Sequence, residues 1–166
     1  AKLTNAPFIY AIAKKRVPII LSTGMATIED IHEALSYIAF GLARKTDMEN
    51  VRSFYETAEA KQLLQQYVTI LHCTTQYPAP FETINLHVMA TLREEFQMPI
   101  GLSDHSEGIA VPTAAVALGA TVIEKHFTLD KTLEGPDHVA SLNPTELEQM
   151  VEQIRQGELA LGTAQK

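Results

Sequence analysis

Two kinds of segment alternate along the chain. Short β-rich runs cover Val17–Ser22, Val68–Cys73, Pro99–Asp104 and Thr121–Phe127. The first two are almost unbroken in apolar side chains. Strands covered on both faces look like this, which points to a parallel sheet. The segments between them have helical spacing. Thr27 is placed to cap a helix over 28–40, with Asp30 near its positive end. Ile84, Val88, Leu92 and Phe96 recur every four residues, one face of a helix. Residues 109–118 are small and apolar and suit close packing on a sheet. Asn143 and Pro144 read as an N-cap and a first helical residue, and Leu147, Met150, Val151, Ile154 and Leu161 continue that helix.

The predicted order is α-β-α-β-α-β-α-β-α, with right-handed crossovers. The stretch 41–67 breaks the rhythm. It is polar, carries an extra helix near 53–66, and reads as an insertion on the outside of the fold. Four β/α units fit either a small open sheet of flavodoxin type or half of an eight-stranded β/α barrel. A whole barrel takes about 250 residues. With 166 residues the chain is not expected to close one alone.

Composition narrows the function. Hydrophobic residues make up 46% and charged residues 20%, which is enough apolar material for a core. Thirteen basic residues stand against 20 acidic ones, a net charge of −7. Such a chain offers no basic patch to nucleic acid and is repelled by an anionic membrane surface. No apolar run approaches the ~20 residues that span a bilayer. The one cysteine, Cys73, excludes a disulfide framework within the chain and any CxxC knuckle. The N-terminal segment, broken by Pro7 and ending in Lys14-Lys15-Arg16, lacks a signal-peptide layout. A cytoplasmic location is the expectation.

The candidate chemistry collects at the C-terminal ends of the strands: Ser22-Thr23-Gly24, His72-Cys73-Thr74-Thr75, Ser103-Asp104-His105-Ser106 and Glu124-Lys125-His126. In parallel β/α architectures that end carries the active site. His105 and His126 end consecutive strands. If these are neighbours, about 4.8 Å apart, both imidazoles reach one ion. Such a pair with open positions suits Mn, Fe or Zn, with Asp104 and Glu124 as partners behind the rings. His72 fits a core role or a site role equally well. His32 and His87 read as solvent-facing helix residues, and the role of His138 stays open. Gly135-Pro136-Asp137-His138 is a turn on local sequence, or a device holding Asp137 over the barrel mouth. Tyr77-Pro78-Ala79-Pro80 is a stiff connector that could present Tyr77. Ser22-Thr23-Gly24 resembles a small phosphate cradle. Cys73 reads as a small buried thiol. No GxGxxG, Walker A or HExxH motif occurs. Lys125 is the one strand-end lysine that Schiff-base chemistry would use.

These blocks together resemble the sialic acid synthase family, which includes N-acetylneuraminate, legionaminate and pseudaminate synthases. The resemblance rests on Ile20–Met25, Leu71–Pro80, Gly101–His105, Ile123–Asp130 and Glu134–His138, in that order and spacing. It implies strands five to eight, the C-terminal half, of a (β/α)8 TIM-type barrel. A partial synthase domain would then occupy 1–166, with the insertion at about 41–67. It implies condensation of phosphoenolpyruvate with N-acetylmannosamine, giving N-acetylneuraminate and phosphate. The alternatives are a legionaminate or pseudaminate synthase using a related N-acylated hexosamine, or a non-catalytic half-barrel. The implied metal is Mn2+ or Mg2+, held by His105 and His126. Ser22 and Ser103 match the phosphoenolpyruvate region. Thr75 and Tyr77 match ligand contacts, although many relatives carry Asn where Thr75 stands. Asp137 matches a sugar contact, and Lys2 stands where relatives carry a carboxylate.

The family's first four strands, its phosphate-binding lysines and its antifreeze-like domain have no counterpart in this sequence. The expectation is a fragment or split-gene product with little turnover of its own. A homo-oligomer, a dimer by preference, is expected.

Overall fold

The computed structural model describes residues 3–165. Its elements are α1 (Ala6–Ala13), β1 (Ile19–Ser22), α2 (Ile28–Leu42), α3 (Val51–Tyr55), α4 (Ala58–Tyr67), β2 (Val68–Cys73), α5 (Val88–Phe96), β3 (Ile100–Asp104), α6 (Ala110–Ala117), β4 (Ile123–Lys125) and α7 (Pro144–Leu161). Single 3₁₀ turns occupy Met48–Asn50 and Phe81–Thr83. Among the described residues, no helix is long and apolar enough to cross a membrane.

The four strands pair in parallel in the order β1-β2-β3-β4. Each strand therefore adds on the same side as the one before. A flavodoxin-type sheet reverses direction after its first pair, so that option is excluded. The result is a half-barrel. Side chains alternate between its faces. Val68, Ile70, Ile100 and Leu102 face outward into the core beneath the helices. By the same alternation Ile20, Leu71, Gly101 and Ser103 face inward. Ile20, on the inner face of β1, is 57% exposed among the described residues.

The helix starts follow the sequence signals. Thr27 and Asp30 form a reciprocal capping box on α2, and Asn143 and Glu146 form one on α7. One periodicity is re-phased. α5 begins at Val88, after a turn in which Asn85 has φ 49°. Ile84 falls in the 3₁₀ segment's cap, and Met89 takes the buried position expected of Val88.

In the polar stretch 41–67 two short helices stand where one was expected. α2 runs on to Leu42, and α3 and α4 follow. Val51, Phe54, Ala60 and Leu64 are buried in the main core, and Phe54 meets Phe40 edge-on with centroids 5.9 Å apart. The segment is therefore an outer layer fastened to α2 by a few apolar residues, spaced too sparsely to stand out in sequence. α7 is the opposite case. Met150 is its one buried residue, and Val151 and Leu161 stay exposed.

Two consequences follow for stability. A Cβ on Gly101 would lie 2.6 Å from the Leu71 side chain and run into the Val122 carbonyl. Gly101→Ala should lower unfolding free energy by about 1–3 kcal/mol, measured by urea denaturation. At α7, hydrogen bonds from Lys131 and from the Asn143 backbone hold the Glu146 carboxyl below its usual range. That stabilisation is full above the ordinary glutamate pKa and is lost as pH falls through the folded one. Glu146→Gln should abolish this acid-side component of the melting-temperature profile and leave the neutral-to-alkaline limb parallel to wild type.

Candidate active site

β3 and β4 stop at Asp104 and Lys125, so His105 and His126 lie just past the strand ends, on neighbouring strands. Their rings meet edge-on, with centroids 5.4 Å apart. Tyr77, from the loop after β2, stacks on His126 at 4.2 Å and meets His105 edge-on at 5.5 Å. Three aromatic rings from three consecutive strand ends therefore share one cluster.

The loop after β4 folds back over this cluster. The Leu142 amide donates to the His126 carbonyl at 2.9 Å, and the Thr128 amide donates to the Leu142 carbonyl at 2.8 Å. Inside the loop, Thr128 Oγ1 lies 2.7 Å from His138 Nδ1. The Tyr77 hydroxyl donates to the Asp137 carbonyl at 3.0 Å, and Ser141 Oγ donates to the same carbonyl at 2.7 Å. The Asp137 backbone is thus pinned while its side chain stays 55% exposed, with Oδ2 3.8 Å from His126 Nδ1. Gly135–His138 is a turn, and it sets the Asp137 carboxylate beside His126.

The donors fit a divalent ion that keeps open positions. His105 Nδ1 is buried with no hydrogen-bond partner. Among the described residues, no group of three or more His, Cys, Asp and Glu gathers to hold a metal. Toward such an ion the described residues therefore offer at most the imidazole pair.

The carboxylates expected behind the rings are elsewhere, and the strand alternation explains why. Asp104 and Lys125 point outward and pair with each other at 2.6 Å, with side chains 0% and 4% exposed. A buried ammonium committed to that carboxylate is poorly placed to act as a Schiff-base nucleophile. Glu124 shares the inner face with His126 but lies one layer below it. It accepts hydrogen bonds from Ser103 Oγ at 2.7 Å and Ser22 Oγ at 3.4 Å. The structure thus brings Ser22 and Ser103 together across the sheet, through a carboxylate whose role here the sequence reading missed. The alternation Ser103-x-His105 and Glu124-x-His126 was the available signal.

Other candidates separate from the cluster. Thr75 is exposed and lies beside Gly24, whose Cβ would meet Thr75 Cγ2 at 3.7 Å. Thr23 extends β1, its amide and hydroxyl both donating to the Leu71 carbonyl, at 3.1 and 2.8 Å. It is therefore not part of a free phosphate cradle. His72 is buried with Nε2 2.5 Å from the Ile84 carbonyl, a structural role. His32 is not a free surface residue: its ring nitrogens lie 2.7 Å from the Tyr55 hydroxyl and 2.8 Å from Glu95. Burial, and then nearby glutamates, push the Tyr55 hydroxyl up to about 12. These three residues line a cavity of about 410 Å3 among the outer helices, with no strand-end residue in its walls. Lys2 lies outside the described residues.

The NeuB family model matches residues 1–166. An N,N'-diacetyllegionaminic acid synthase of Campylobacter jejuni is 47% identical over 161 residues, covering 97% of this chain and 42% of its own length. Another, from Legionella pneumophila, is 42% identical over 165 residues, covering 99% of this chain and 41% of its own length. Among solved structures, an N-acetylneuraminic acid synthetase from Leptospira borgpetersenii superposes with TM-score 0.79 at 32% identity. That superposition covers 98% of this chain and 49% of the other. The chain thus spans less than half the length of the proteins it matches.

The loop geometry makes a prediction of its own. Tyr77→Phe keeps the ring stack and removes the hydroxyl tie to the Asp137 carbonyl. Losing one such bond, worth about 1 kcal/mol, should speed amide hydrogen exchange at Ser141 roughly fivefold. Exchange in β2 should be unchanged.

Proposed function

The chain belongs to the NeuB family, and we propose that it forms strands five to eight of a β/α-barrel synthase. The enzyme condenses phosphoenolpyruvate with an N-acylated hexosamine. One observation carries the reading: His105 and His126 converge, rings 5.4 Å apart, under a loop that sets Asp137 Oδ2 3.8 Å from His126 Nδ1. Two imidazoles and a carboxylate at one strand-end cluster support a metal and a sugar hydroxyl as its ligands. The resemblance of the surrounding motifs supplies the reaction class.

In this reading the imidazole pair holds Mn2+ or Mg2+, which when bound acts as a Lewis acid toward a carbonyl oxygen. The chain's own groups do the positioning. The Asp137 carboxylate accepts a hydrogen bond from a sugar hydroxyl, and the Tyr77 ring walls the site on one side. Ser22 and Ser103 donate to anionic oxygens of phosphoenolpyruvate once they turn from Glu124, and Thr75 lines the approach from the β1 side. C3 of phosphoenolpyruvate bonds to the sugar aldehyde carbon, water adds at C2, and phosphate leaves by C–O cleavage. The products are a 2-keto sugar acid and inorganic phosphate.

The inner face, among the described residues, offers two serines and Glu124 but no lysine or arginine. With a net charge of −7, this face needs cationic groups from elsewhere to hold a phosphate ester. For the sugar, the relatives at 47% and 42% identity favour a doubly N-acetylated hexosamine over N-acetylmannosamine.

Calorimetric titration with Mn2+ tests the centre. Binding should be lost, by about 100-fold or more in affinity, when His105→Ala and His126→Ala are combined. Binding that survives the pair removes the metal assignment. Phosphate release from phosphoenolpyruvate, assayed with each hexosamine, should stay at background for the 166-residue chain alone. It should appear, with the doubly acetylated sugar preferred, when the segment sits within a full-length synthase. Ordinary turnover by the chain alone would sink the half-site reading.

A further inference from the structure

The last backbone pairing between β3 and β4 is Asp104↔Lys125. His105 and His126 are each the next residue, so the ladder stops one position short of both imidazoles. What continues across the gap is a side-chain clamp on the outer face. Lys125 Nζ donates to Asp104 Oδ2 at 2.6 Å and to the Ser106 carbonyl at 2.5 Å. Asp104 Oδ1 accepts from the Ser106 amide at 2.9 Å and from the Ser106 hydroxyl at 2.8 Å. One lysine thus grips the residues on both sides of His105, and it is itself the neighbour of His126.

Stability alone gives a weak reason for this arrangement. Removing two charges from water is costly, and apolar side chains of similar volume often do as well or better. What a buried ion pair supplies, with three hydrogen bonds into its carboxylate and two from its ammonium, is a single geometry. We propose that the Asp104–Lys125–Ser106 clamp sets the spacing of the two imidazoles, and through it the affinity of the metal they hold. Asp104 and Lys125 are then positioning residues that act through His105 and His126 and touch neither metal nor substrate. The inference rests on the reading of the imidazole pair as a divalent-metal site. Errors well below an ångström matter at such a site, because metal–nitrogen bonds tolerate little stretching.

The test combines Asp104→Asn with Lys125→Met. The pair removes both charges, keeps an acceptor for Ser106 and leaves no unpaired buried ion. Three quantities are read on wild type, on this variant and on Arg155→Ala as a surface control. They are the melting temperature, Mn2+ affinity by calorimetry, and the ring-proton NOE between His105 and His126 in metal-free protein. The melting temperature should stay within about 4 °C of wild type. Mn2+ binding should weaken about tenfold or more, and the NOE should fade. Arg155→Ala should change none of them. Unchanged Mn2+ affinity in the folded double variant overturns the proposal. If that variant does not fold, Lys125→Arg keeps the charge in a different fork and is read by the same criteria. If wild type takes up no Mn2+, the metal reading fails, and the NOE alone decides whether the clamp positions the rings.

Discussion

Successive side chains of a strand point to opposite faces, and this alternation organises the whole molecule. In β2 and β3 it sends Val68, Ile70, Ile100 and Leu102 into the helix-covered core. The intervening residues face the barrel interior, ending in Ser103 and then His105. In β4 the same rule sends Lys125 outward to Asp104 and leaves Glu124 and His126 inside. The strand-borne side chains of the site are therefore placed by the same alternation that builds the core. A one-residue slip of β4 would bury His126 and expel Lys125.

The sheet also has to be tight where chemistry sits above it. Gly101 leaves room for the Val122 carbonyl and the Leu71 side chain to close on β3, which keeps β2, β3 and β4 in contact below the imidazoles. The buried Asp104–Lys125 pair then ends the ladder. Above that level, order comes from loops. Tyr77 lies against both imidazoles, the Ala79 amide donates to the His105 carbonyl at 2.8 Å, and the returning Leu142 amide caps the His126 carbonyl. A rigid floor and a laced rim hold the aromatic cluster in one arrangement.

The inner face of this half is unfinished in a chemical sense. Its serines turn to a carboxylate, and its Ile20 is left largely exposed among the described residues. A closed barrel would cover both, which agrees with a chain spanning about two-fifths of the legionaminic acid synthases it matches.

Much of this was legible in the residues. The four strands, the capping boxes at Thr27 and Asn143, and the pairing of His105 with His126 follow from patterns a few residues long, because caps and pleats are local physics. The motifs also carried the family resemblance. The misreadings have one cause. The half-buried state of His32, the re-phasing from Val88 to Met89 and the true partners of Asp104 and Glu124 depend on which elements meet. Sequence spacing brought the two imidazoles to neighbouring strands. Only the tertiary structure decided which carboxylate stands beside them. Asp104, adjacent in sequence, points away, and Asp137, eleven residues beyond His126, is folded back to reach it.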